Sequence, residues 1–473
     1  MTILRRPSVG ASMLGGSITV PANPCTHAPA LAIHPWTGED GTAGTVAVVG
    51  AGKMGLPLAA QFATHGWTVI AVDVNPAVVD AINAGRSHVG EEPGLAEIVS
   101  TVHAQGRLRA TLDAAWAARE ADVVVLIVPV MLDADHQPDY RYMDPAVASI
   151  APGIHAGITV IFETTLPIGD TRRRFAPALE RASGLVADRD FFLAFSPERL
   201  FSGAVLANLA AYPKLVGGIG SGSTDRAAHF YASVLDAEIV AMSSSEAAEF
   251  SKLADTTYRD VNIALANEFS HAADALGIDV QEVIAAANSQ PYSHIHQPGI
   301  GVGGHCIPVY PHLLLARAPG LRLVETAREV NDAQTDRAVA TLDGLLGGLE
   351  GAPVLVLGLT YREGVKELAY SRAIPLIAAL RAAGADVAGF DPLMDPGEIE
   401  ALGVRPWAWG TPGPFRAVIT QTGDRLFDTL DLVWFPDLGF VYDGRNSLRS
   451  LALPDGVAYL GVGVQAGTRG GPA

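Results

Sequence analysis

The sequence has few cysteines and no long apolar run. Only two of its 473 residues are cysteine, and so few thiols exclude a disulfide-rich secreted scaffold. No apolar stretch reaches the roughly 20 residues that a membrane-spanning helix needs. Residues 7–29 are interrupted by Ser, Gly, Thr and Pro and lack the continuous apolar core of a signal peptide. We therefore expect a cytoplasmic protein with no membrane partner.

Positive charge is also scarce. The chain has 32 Lys and Arg against 50 Asp and Glu, and its formal net charge is -18. This balance opposes binding to nucleic acid, although a local cluster of Arg and Lys can still hold a small anion. The chain is 49% hydrophobic and long enough for two or three domains, each with its own core.

The segment after residue 44 has the pattern of a dinucleotide-binding unit. A short apolar strand at 45–49 leads into the sequence GAGKMG at 50–55, a helix at 56–65 and a second strand at 67–72 that ends at Asp73. Strand, glycine turn, helix and a later acidic residue together are far more specific than the glycines alone. The alternative is a glycine-rich turn that binds no ligand.

Each residue type in this unit suits one part of NAD. Gly50 permits the tight turn, Gly52 lets the backbone approach a pyrophosphate, and Gly55 lets helix and strand pack closely. Asp73 would accept hydrogen bonds from the ribose and repel a 2′-phosphate, which favours NAD over NADP. The predicted cofactor-binding residues are Gly50, Gly52, Lys53, Met54, Gly55 and Asp73.

Further strands and a second unit of the same kind follow. Apolar strands are predicted at 121–128 and 159–162, which makes the first sheet mostly parallel. In the second unit a strand at 353–358 precedes a helix at 374–383 and a strand at 386–390. This unit lacks the full glycine pattern, and a fold of this kind does not by itself establish a nucleotide ligand.

A long helix is predicted between the two units, from about Ser245 to Leu276. Ser243, Ser244 and Ser245 offer an N-cap, and Gly277 ends the apolar periodicity. The predicted fold is therefore α/β, with two Rossmann-like domains of parallel sheet joined by a long central helix. We expect this helix to form a dimer interface.

Cys306 lies at the end of a glycine-rich run, GVGGHC, at residues 301–306. Glycines leave the backbone bare, so that a ligand can come close to this thiol. The position favours a nucleophile, and the alternative is a buried structural cysteine. Cys25, the other cysteine, lies in the N-terminal extension.

Separated motifs follow one another along the chain from residue 45 to about 464: residues 50–57 (GAGKMGLP), 92–95 (EPGL), 163–167 (ETTLP), 195–199 (FSPER), 252–254 (KLA), 259–264 (RDVNIA), 297–299 (QPG), 303–306 (GGHC) and 443–446 (DGRN). In these motifs and in their order the chain resembles the nucleotide-sugar 6-dehydrogenases, which include UDP-glucose dehydrogenase and the UDP-N-acetylhexosamine dehydrogenases. The forms GGHCIP and RDVNIA resemble the N-acetylhexosamine branch.

The resemblance implies oxidation of the sugar C6 alcohol to a carboxylate, with two NAD reduced. Cys306 would add to the aldehyde, because the resulting thiohemiacetal can give up a second hydride and become a thioester. Lys252 would stabilise the oxyanion and help to remove the alcohol proton. Glu198 and Thr165 would activate and orient the hydrolytic water.

The resemblance also implies a division of the chain and a set of site residues. The domains would be an NAD-binding domain at 45–242, a central helical and catalytic-cysteine segment at 243–340, and a nucleotide-sugar-binding domain at 341–473. The composition of residues 1–44 itself predicts a flexible extension or a misassigned start. Asp260, on the helix of Lys252, would help to shape the sugar pocket. No metal is predicted. The implied catalytic residues are Cys306, Lys252, Glu198, Thr165 and Thr256, with Thr165 also at the cofactor, and the implied substrate-binding residues are Arg199, Lys252, Asn262, Gly303, Arg362 and Arg445.

The chain departs from the family pattern at supporting positions. The family has Asn where Thr256 stands, Asp where Tyr310 stands, and an arginine that reaches across the dimer where Tyr292 stands. The usual Phe-Lys becomes Tyr-Arg at 361–362, and Asp-Asp-x-Arg becomes Lys-Glu-Leu-Ala at 366–369. These changes predict a shifted sugar or nucleotide preference.

Two alternatives remain beside a UDP-N-acetylhexosamine dehydrogenase. The substrate could be UDP-glucose, or the chain could be a catalytically silent relative that binds nucleotide sugar or NAD. Retention of Cys306, Lys252, Glu198 and Thr165 together favours an enzyme.

Overall fold

The computed structural model describes residues 43–90, 92–200 and 203–467. Residues 1–42 of the N-terminal extension, which include Cys25, lie outside the described residues. Among the described residues, no helix is both long and apolar enough to cross a membrane. Two sheets covered by helices, with a helical segment between them, make up this part of the chain, as the sequence predicts.

The described residues of the first unit form ten strands and eight α-helices. The strands are β1 Thr45–Val49, β2 Thr68–Val72, β3 Leu108–Thr111, β4 Val123–Leu126, β5 Met131–Leu132, β6 Pro138–Asp139, β7 Thr159–Phe162, β8 Phe192–Phe195, β9 Lys214–Gly218 and β10 Ile239–Ala241. The helices are α1 Gly55–Thr64, α2 Pro76–Asn83, α3 Leu95–Ala104, α4 Ala114–Glu120, α5 Met143–Ile150, α6 Ala176–Ser183, α7 Val205–Ala211 and α8 Ser221–Val234, with a 3-10 turn at Ala151–Gly153 and a π-helical turn at Thr171–Phe175.

Eight of these strands form one sheet in the order β10-β9-β8-β7-β4-β1-β2-β3. All neighbouring pairs are parallel except β8 and β9, which pair antiparallel. Strands β1, β4 and β7 lie in the middle and are almost wholly buried, as both faces of a parallel sheet are covered by helices. The predicted, mostly parallel sheet is confirmed.

The central segment consists of α9 Ser245–Leu276, α10 Val280–Ala287, α11 Tyr310–Leu315 and α12 Arg322–Leu346. The side chain of Ser244 accepts a hydrogen bond from the Ala247 N–H at 3.1 Å and so caps α9. Gly277 ends the helix in the left-handed conformation, with φ of 74°. Both predicted ends of this helix are confirmed.

A buried glutamate fixes the start of α9 to the first unit. The Glu249 carboxylate accepts hydrogen bonds from the Gly169 N–H, the Thr171 N–H and the Thr171 hydroxyl, at 2.5, 3.0 and 2.7 Å. Burial raises the pKa of Glu249 to about 7. The first turn of α9 therefore has one fixed position against the chain that follows β7.

Further along, α9 packs against α12 through a buried ion pair. Arg328 donates to the Asp260 carboxylate at 2.6 Å, and the Asn331 amide donates to the same oxygen at 2.8 Å. The Asn267 amide donates to Asn331 at 2.9 Å. Breaking one partner of such a pair leaves an uncompensated buried charge, so the two helices hold one register.

The second unit is a seven-stranded sheet in the order β13-β12-β11-β14-β15-β16-β17. Its pairs are parallel except the last, β16 with β17, and the predicted strands and helix of this unit are confirmed within a residue or two. Its elements are β11 Pro353–Leu357, β12 Asp386–Phe390, β13 Arg405–Pro406, β14 Ala417–Thr420, β15 Phe440–Asp443, β16 Ala458–Gly461 and β17 Val464–Gly467, the helices α13 Ala373–Ala382 and α14 Pro396–Ala401, and 3-10 turns at Arg425–Thr429 and Leu432–Trp434.

Candidate active site

The glycine loop joins β1 to α1 at the carboxyl edge of the first sheet. Gly50 has φ of 96°, which a side chain would strain, and a Cβ at Gly55 would lie 1.8 Å from the Gly50 carbonyl oxygen. At Gly52, in contrast, an added Cβ would have no atom within 4 Å. The first and third glycines are required by the chain itself, and the middle glycine leaves open space beside the backbone.

Asp73 lies beside this loop at the end of β2. Its carboxylate accepts from the Ala51 N–H at 3.0 Å and from the Asn75 N–H at 2.9 Å. A carboxylate has about four lone-pair positions, so two main-chain bonds leave capacity for further donors. The open backbone at Gly52 and the nearby carboxylate fit the pyrophosphate and the ribose of NAD.

Lys53 and Met54 complete the loop. Met54 immediately precedes α1 and packs against a cluster of buried apolar residues that includes residues of β1 and α1. The Lys53 ammonium lies 3.7 Å from the Glu367 carboxylate of the second unit. The glycine loop thus contacts the segment 366–369, where the chain departs from the family pattern.

Cys306 is half-buried just before α11. Its Sγ lies 3.6 Å from the phenol oxygen of Tyr310, within hydrogen-bonding distance for sulfur. The Tyr310 N–H donates to the Cys306 carbonyl at 2.9 Å. The start of α11 therefore holds the thiol and the phenol on the same side of the chain.

Three predicted catalytic residues surround this phenol. The Thr165 hydroxyl lies close enough to this phenol to lower its pKa, and the Glu198 carboxylate lies close enough to raise it. Lys252, only 4% exposed on α9, holds its ammonium 5.6 Å from the centre of the Tyr310 ring. The same ammonium donates to the main-chain carbonyl of Glu198. Cys306, Thr165, Glu198 and Lys252 therefore meet at Tyr310.

Burial is the main cause of a raised Tyr310 pKa, which lies well above its ordinary value, and the charges of Cys306 and Glu198 add to it. The phenol is consequently neutral throughout the range in which enzymes work. The site contains a protonated phenol where the family pattern has a carboxylate.

The other predicted residues on α9 have different partners. The hydroxyl of Thr256 is buried and accepts from the Arg259 guanidinium at 3.3 Å. Asn262 donates to the His294 carbonyl at 2.7 Å and accepts from the His296 N–H at 2.9 Å, so it holds the loop before Gly299. Asp260, expected to help to shape the sugar pocket, is engaged by α12 instead.

Two arginines of the second unit face the glycine-rich segment before Cys306. A Cβ on Gly299 would lie 2.7 Å from the Arg445 guanidinium, and a Cβ on Gly301 would lie 2.7 Å from Nε of Arg372. Arg445 donates through Nε to the Gln421 carbonyl at 2.7 Å. Burial, with the nearby charge of Arg372, lowers the pKa of Arg445 to about 10. Two close cations of this kind suit an anionic ligand.

Of the three remaining predicted site residues, Gly303 and Arg362 both contact Tyr361, and Arg199 lies elsewhere. Gly303 lies against Tyr361, whose Cβ would be 3.4 Å from an added Cβ. The Arg362 guanidinium lies over the neighbouring Tyr361 ring, 5.7 Å from its centre. Arg199 instead donates to the main-chain carbonyl of Pro213 within the first unit.

Arg372 was not predicted from the sequence to be a site residue, and Tyr310 was identified only as a departure from the family pattern. Arg372 immediately precedes α13, the helix that follows β11, and its Nε is buried without a hydrogen-bond partner. A cation at the start of the helix after a strand of a doubly wound unit is a signal that could have been used. No comparable local signal places Tyr310 among the catalytic side chains.

The fold and this arrangement define a dinucleotide-dependent enzyme with two Rossmann-like units. Three domain models of the UDP-glucose/GDP-mannose dehydrogenase family match the chain: the NAD binding domain over residues 44–235, the central domain over 246–333 and the UDP binding domain over 355–450.

Similar proteins agree with these matches. A UDP-N-acetyl-D-mannosamine dehydrogenase of Pyrococcus horikoshii is 32% identical over 84% of this chain and 98% of its own length. One of Escherichia coli K12 is 37% identical over 70% of this chain and 81% of its own length. The solved structure of the P. horikoshii dehydrogenase superposes with a TM-score of 0.80 and covers 89% of this chain and 99% of its own, at 30% identity.

The chain belongs to the UDP-glucose/GDP-mannose dehydrogenase family. It is therefore an NAD-dependent oxidoreductase of nucleotide sugars, and the resemblance to the UDP-N-acetylhexosamine branch is confirmed.

We predict that Asp73 sets the preference for NAD. Wild-type enzyme should use NADP far less well than NAD, because the carboxylate repels a 2′-phosphate. Asp73→Ser should lower the ratio of kcat/KM for NAD to kcat/KM for NADP by about tenfold or more, and tenfold corresponds to about 1.4 kcal/mol. Asp73→Asn, which keeps the size and one acceptor oxygen, should also lower it. Equal use of both cofactors by the wild type would show that the carboxylate is not at the ribose.

Proposed function

We propose that this chain oxidises the C6 alcohol of a UDP-N-acetylhexosamine, such as UDP-N-acetylmannosamine or UDP-N-acetylglucosamine, to the uronic acid. The named relatives support this substrate class. The observation that carries the proposal is the convergence of Cys306, Thr165, Glu198 and Lys252 on one phenol. We place the reaction in the cytoplasm and its product in polysaccharide or glycoconjugate biosynthesis.

A cysteine is needed because the alcohol must lose two hydrides. Gly50, Gly52, Lys53, Met54, Gly55 and Asp73 would hold NAD, which would supply the hydride acceptor for each oxidation. After the first oxidation the Cys306 thiolate adds to the aldehyde carbon and a proton is taken up by the oxygen, which gives a thiohemiacetal. Loss of its C6 hydride and the hydroxyl proton gives a thioester. Water then breaks the C–S bond, which releases the carboxylate and the thiol.

Lys252 is suited to stabilise the C6 oxygen of each intermediate. Its ammonium carries three donors, and one is used by the Glu198 carbonyl. The remaining donors can stabilise negative charge on the C6 oxygen, and burial strengthens that interaction because the surroundings have a low dielectric constant.

Glu198 and Thr165 suit the hydrolytic step. A carboxylate beside the thioester can take a proton from water, and the Thr165 hydroxyl lies close enough to the phenol beside the thiol to affect the pKa of that phenol. These two groups reach the reacting atoms from the first unit, so hydrolysis needs that unit and the central segment together.

The diphosphate end of the substrate suits the second unit. Arg445 and Arg372 flank Gly299 and Gly301, and Arg362 adds a third cation over the ring of Tyr361, the residue that Gly303 lies against. Planar guanidinium groups match phosphate oxygens in geometry and charge. We assign the nucleotide diphosphate to this cluster.

We also propose that two copies pair through the face of α9. The helix exposes large apolar side chains, among them Phe250, Tyr258 and Leu265, and exposed apolar patches often mark protein interfaces. Tyr292, at the position of the family arginine that reaches across the dimer, is 86% exposed.

Cys306→Ser should abolish uronic acid formation while NAD binding is retained. A serine hydroxyl is a poorer nucleophile than a thiolate at neutral pH. The measurement is NADH and uronic acid production across a panel of UDP-N-acetylhexosamines, UDP-glucose and other nucleotide sugars. Preference for UDP-glucose would establish the alternative substrate, and no turnover of any sugar by the wild type would identify a silent relative. Acid formation by Cys306→Ser at the wild-type level would contradict covalent catalysis.

Arg445→Ala should raise the KM for the nucleotide sugar strongly and leave the KM for NAD nearly unchanged. The lost contact is charge-assisted, a kind worth about 1.5–3 kcal/mol, or roughly 10- to 150-fold in affinity. The matched control is Arg381→Ala, because Arg381 lies on α13 and donates only to the Gly403 carbonyl among the contacts described. Unchanged kinetics for every accepted sugar in Arg445→Ala would remove Arg445 from the site.

The dimer has a direct test in solution. Light scattering coupled to size-exclusion chromatography should give twice the mass of one chain. Leu265→Glu, which places a charge on the exposed apolar face, should shift the mass towards a single chain. The mass of a single chain for the wild type at micromolar concentration would rule the dimer out.

A further inference from the structure

We propose that Tyr310 is the hydrogen-bond donor that holds the Cys306 thiolate in its reactive position, and that this chain thereby replaces an anionic neighbour of the thiol with a neutral one. The inference rests on the proposed nucleophilic role of Cys306 and adds a role for a residue at which the chain departs from its family.

The first support is the geometry of α11. The phenol oxygen lies 3.6 Å from Sγ. The Tyr310 N–H and the Val309 N–H both donate to the Cys306 carbonyl, at 2.9 and 3.2 Å. This turn fixes the separation of thiol and phenol, so the contact does not depend on a mobile side chain alone.

The second support is the direction of the hydrogen bond between sulfur and phenol in each protonation state of the sulfur. While the sulfur is a thiol, its S–H can donate to the phenol oxygen. Once it is a thiolate, the sulfur can only accept, and the phenol O–H is the donor. The Thr165 hydroxyl lies close enough to the phenol to lower its pKa, and a hydroxyl there can donate to the phenol oxygen and leave the phenol proton directed at sulfur.

The third support is electrostatic. The charged or titratable groups that act on Tyr310 come from three parts of the chain: Cys306 before α11, Glu198 after β8, and Lys252 on α9. Burial and the two negative neighbours hold the Tyr310 pKa well above its ordinary value, so the phenol keeps its proton. An aspartate here would put a carboxylate next to both the thiolate and Glu198, and like charges at that distance repel.

Lys252 connects the phenol to the rest of the site. Its ammonium lies 5.6 Å from the ring centre, within the range of a cation–π contact. A carboxylate could not offer a ring face. Tyr310 therefore contacts the nucleophile through its oxygen and the lysine through its ring.

The experiment measures the thiol directly, without substrate or cofactor. In full-length protein with Cys25→Ser, which removes the other cysteine, the rate of alkylation by iodoacetamide is recorded against pH. The midpoint, the pH at which the alkylation rate is half-maximal, should rise by about one unit in Tyr310→Phe, which is about 1.4 kcal/mol. The reason is that the sulfur loses its hydrogen-bond donor. The midpoint should rise further in Tyr310→Asp, because the sulfur also gains a negative neighbour.

Two controls make the result specific. Tyr142→Phe removes the same oxygen from an exposed tyrosine of the first unit and should leave the midpoint unchanged. Cys306→Ser in the same background should abolish alkylation. Circular dichroism confirms folding of each variant.

An unchanged midpoint in folded Tyr310→Phe would overturn the inference. That variant keeps the ring, which packs with Leu253, Leu313 and Leu314, so it carries the test even where Tyr310→Asp does not fold. Failure of the inference and failure of the proposed function are distinguishable: a shifted midpoint in a protein that oxidises no nucleotide sugar would support the contact of Tyr310 with the thiolate and reject the function.

Discussion

The buried carboxyl of Glu249 is the contact on which the rest of the site depends. Three hydrogen bonds from Gly169 and Thr171 tie the first turn of α9 to the chain after β7. Lys252 follows within one helical turn, and it reaches the Glu198 carbonyl and the Tyr310 ring from there. Because side chains three residues apart share a helix face, a displaced Glu249 would carry Lys252 away with it. The ion pair of Asp260 with Arg328 then fixes the other half of the helix against α12.

Local sequence signals predicted the features that depend on local geometry. The glycine loop and its flanking strands follow from short-range sterics, and the predicted ends of α9 follow from a serine N-cap and a glycine C-cap. Both the order of elements and the parallel character of the two sheets were accessible in the same way. Family motifs supplied the catalytic candidates, and the structure brings Cys306, Lys252, Glu198 and Thr165 together.

Contacts between distant segments could not be predicted. Asp260 lies within a family motif, yet its partner Arg328 is 68 positions away on another helix, and nothing in either local sequence specifies the pairing. Arg372 faces Gly301 across the boundary between the central segment and the second unit. Tyr310 looked like a lost carboxylate, because a sequence cannot show that four other site residues converge on its ring and its oxygen.

The glycine loop separates what the fold requires from what a ligand requires. Gly50 and Gly55 have no room for a side chain because of contacts within the protein itself, so any sequence with this backbone must keep them. The space beside Gly52 would accept a larger residue without contact. Mutation would therefore be expected to fill that space in a lineage that had stopped binding a dinucleotide, while the two flanking glycines persisted. The absence of a side chain at Gly52 is thus explained by cofactor binding and not by the fold.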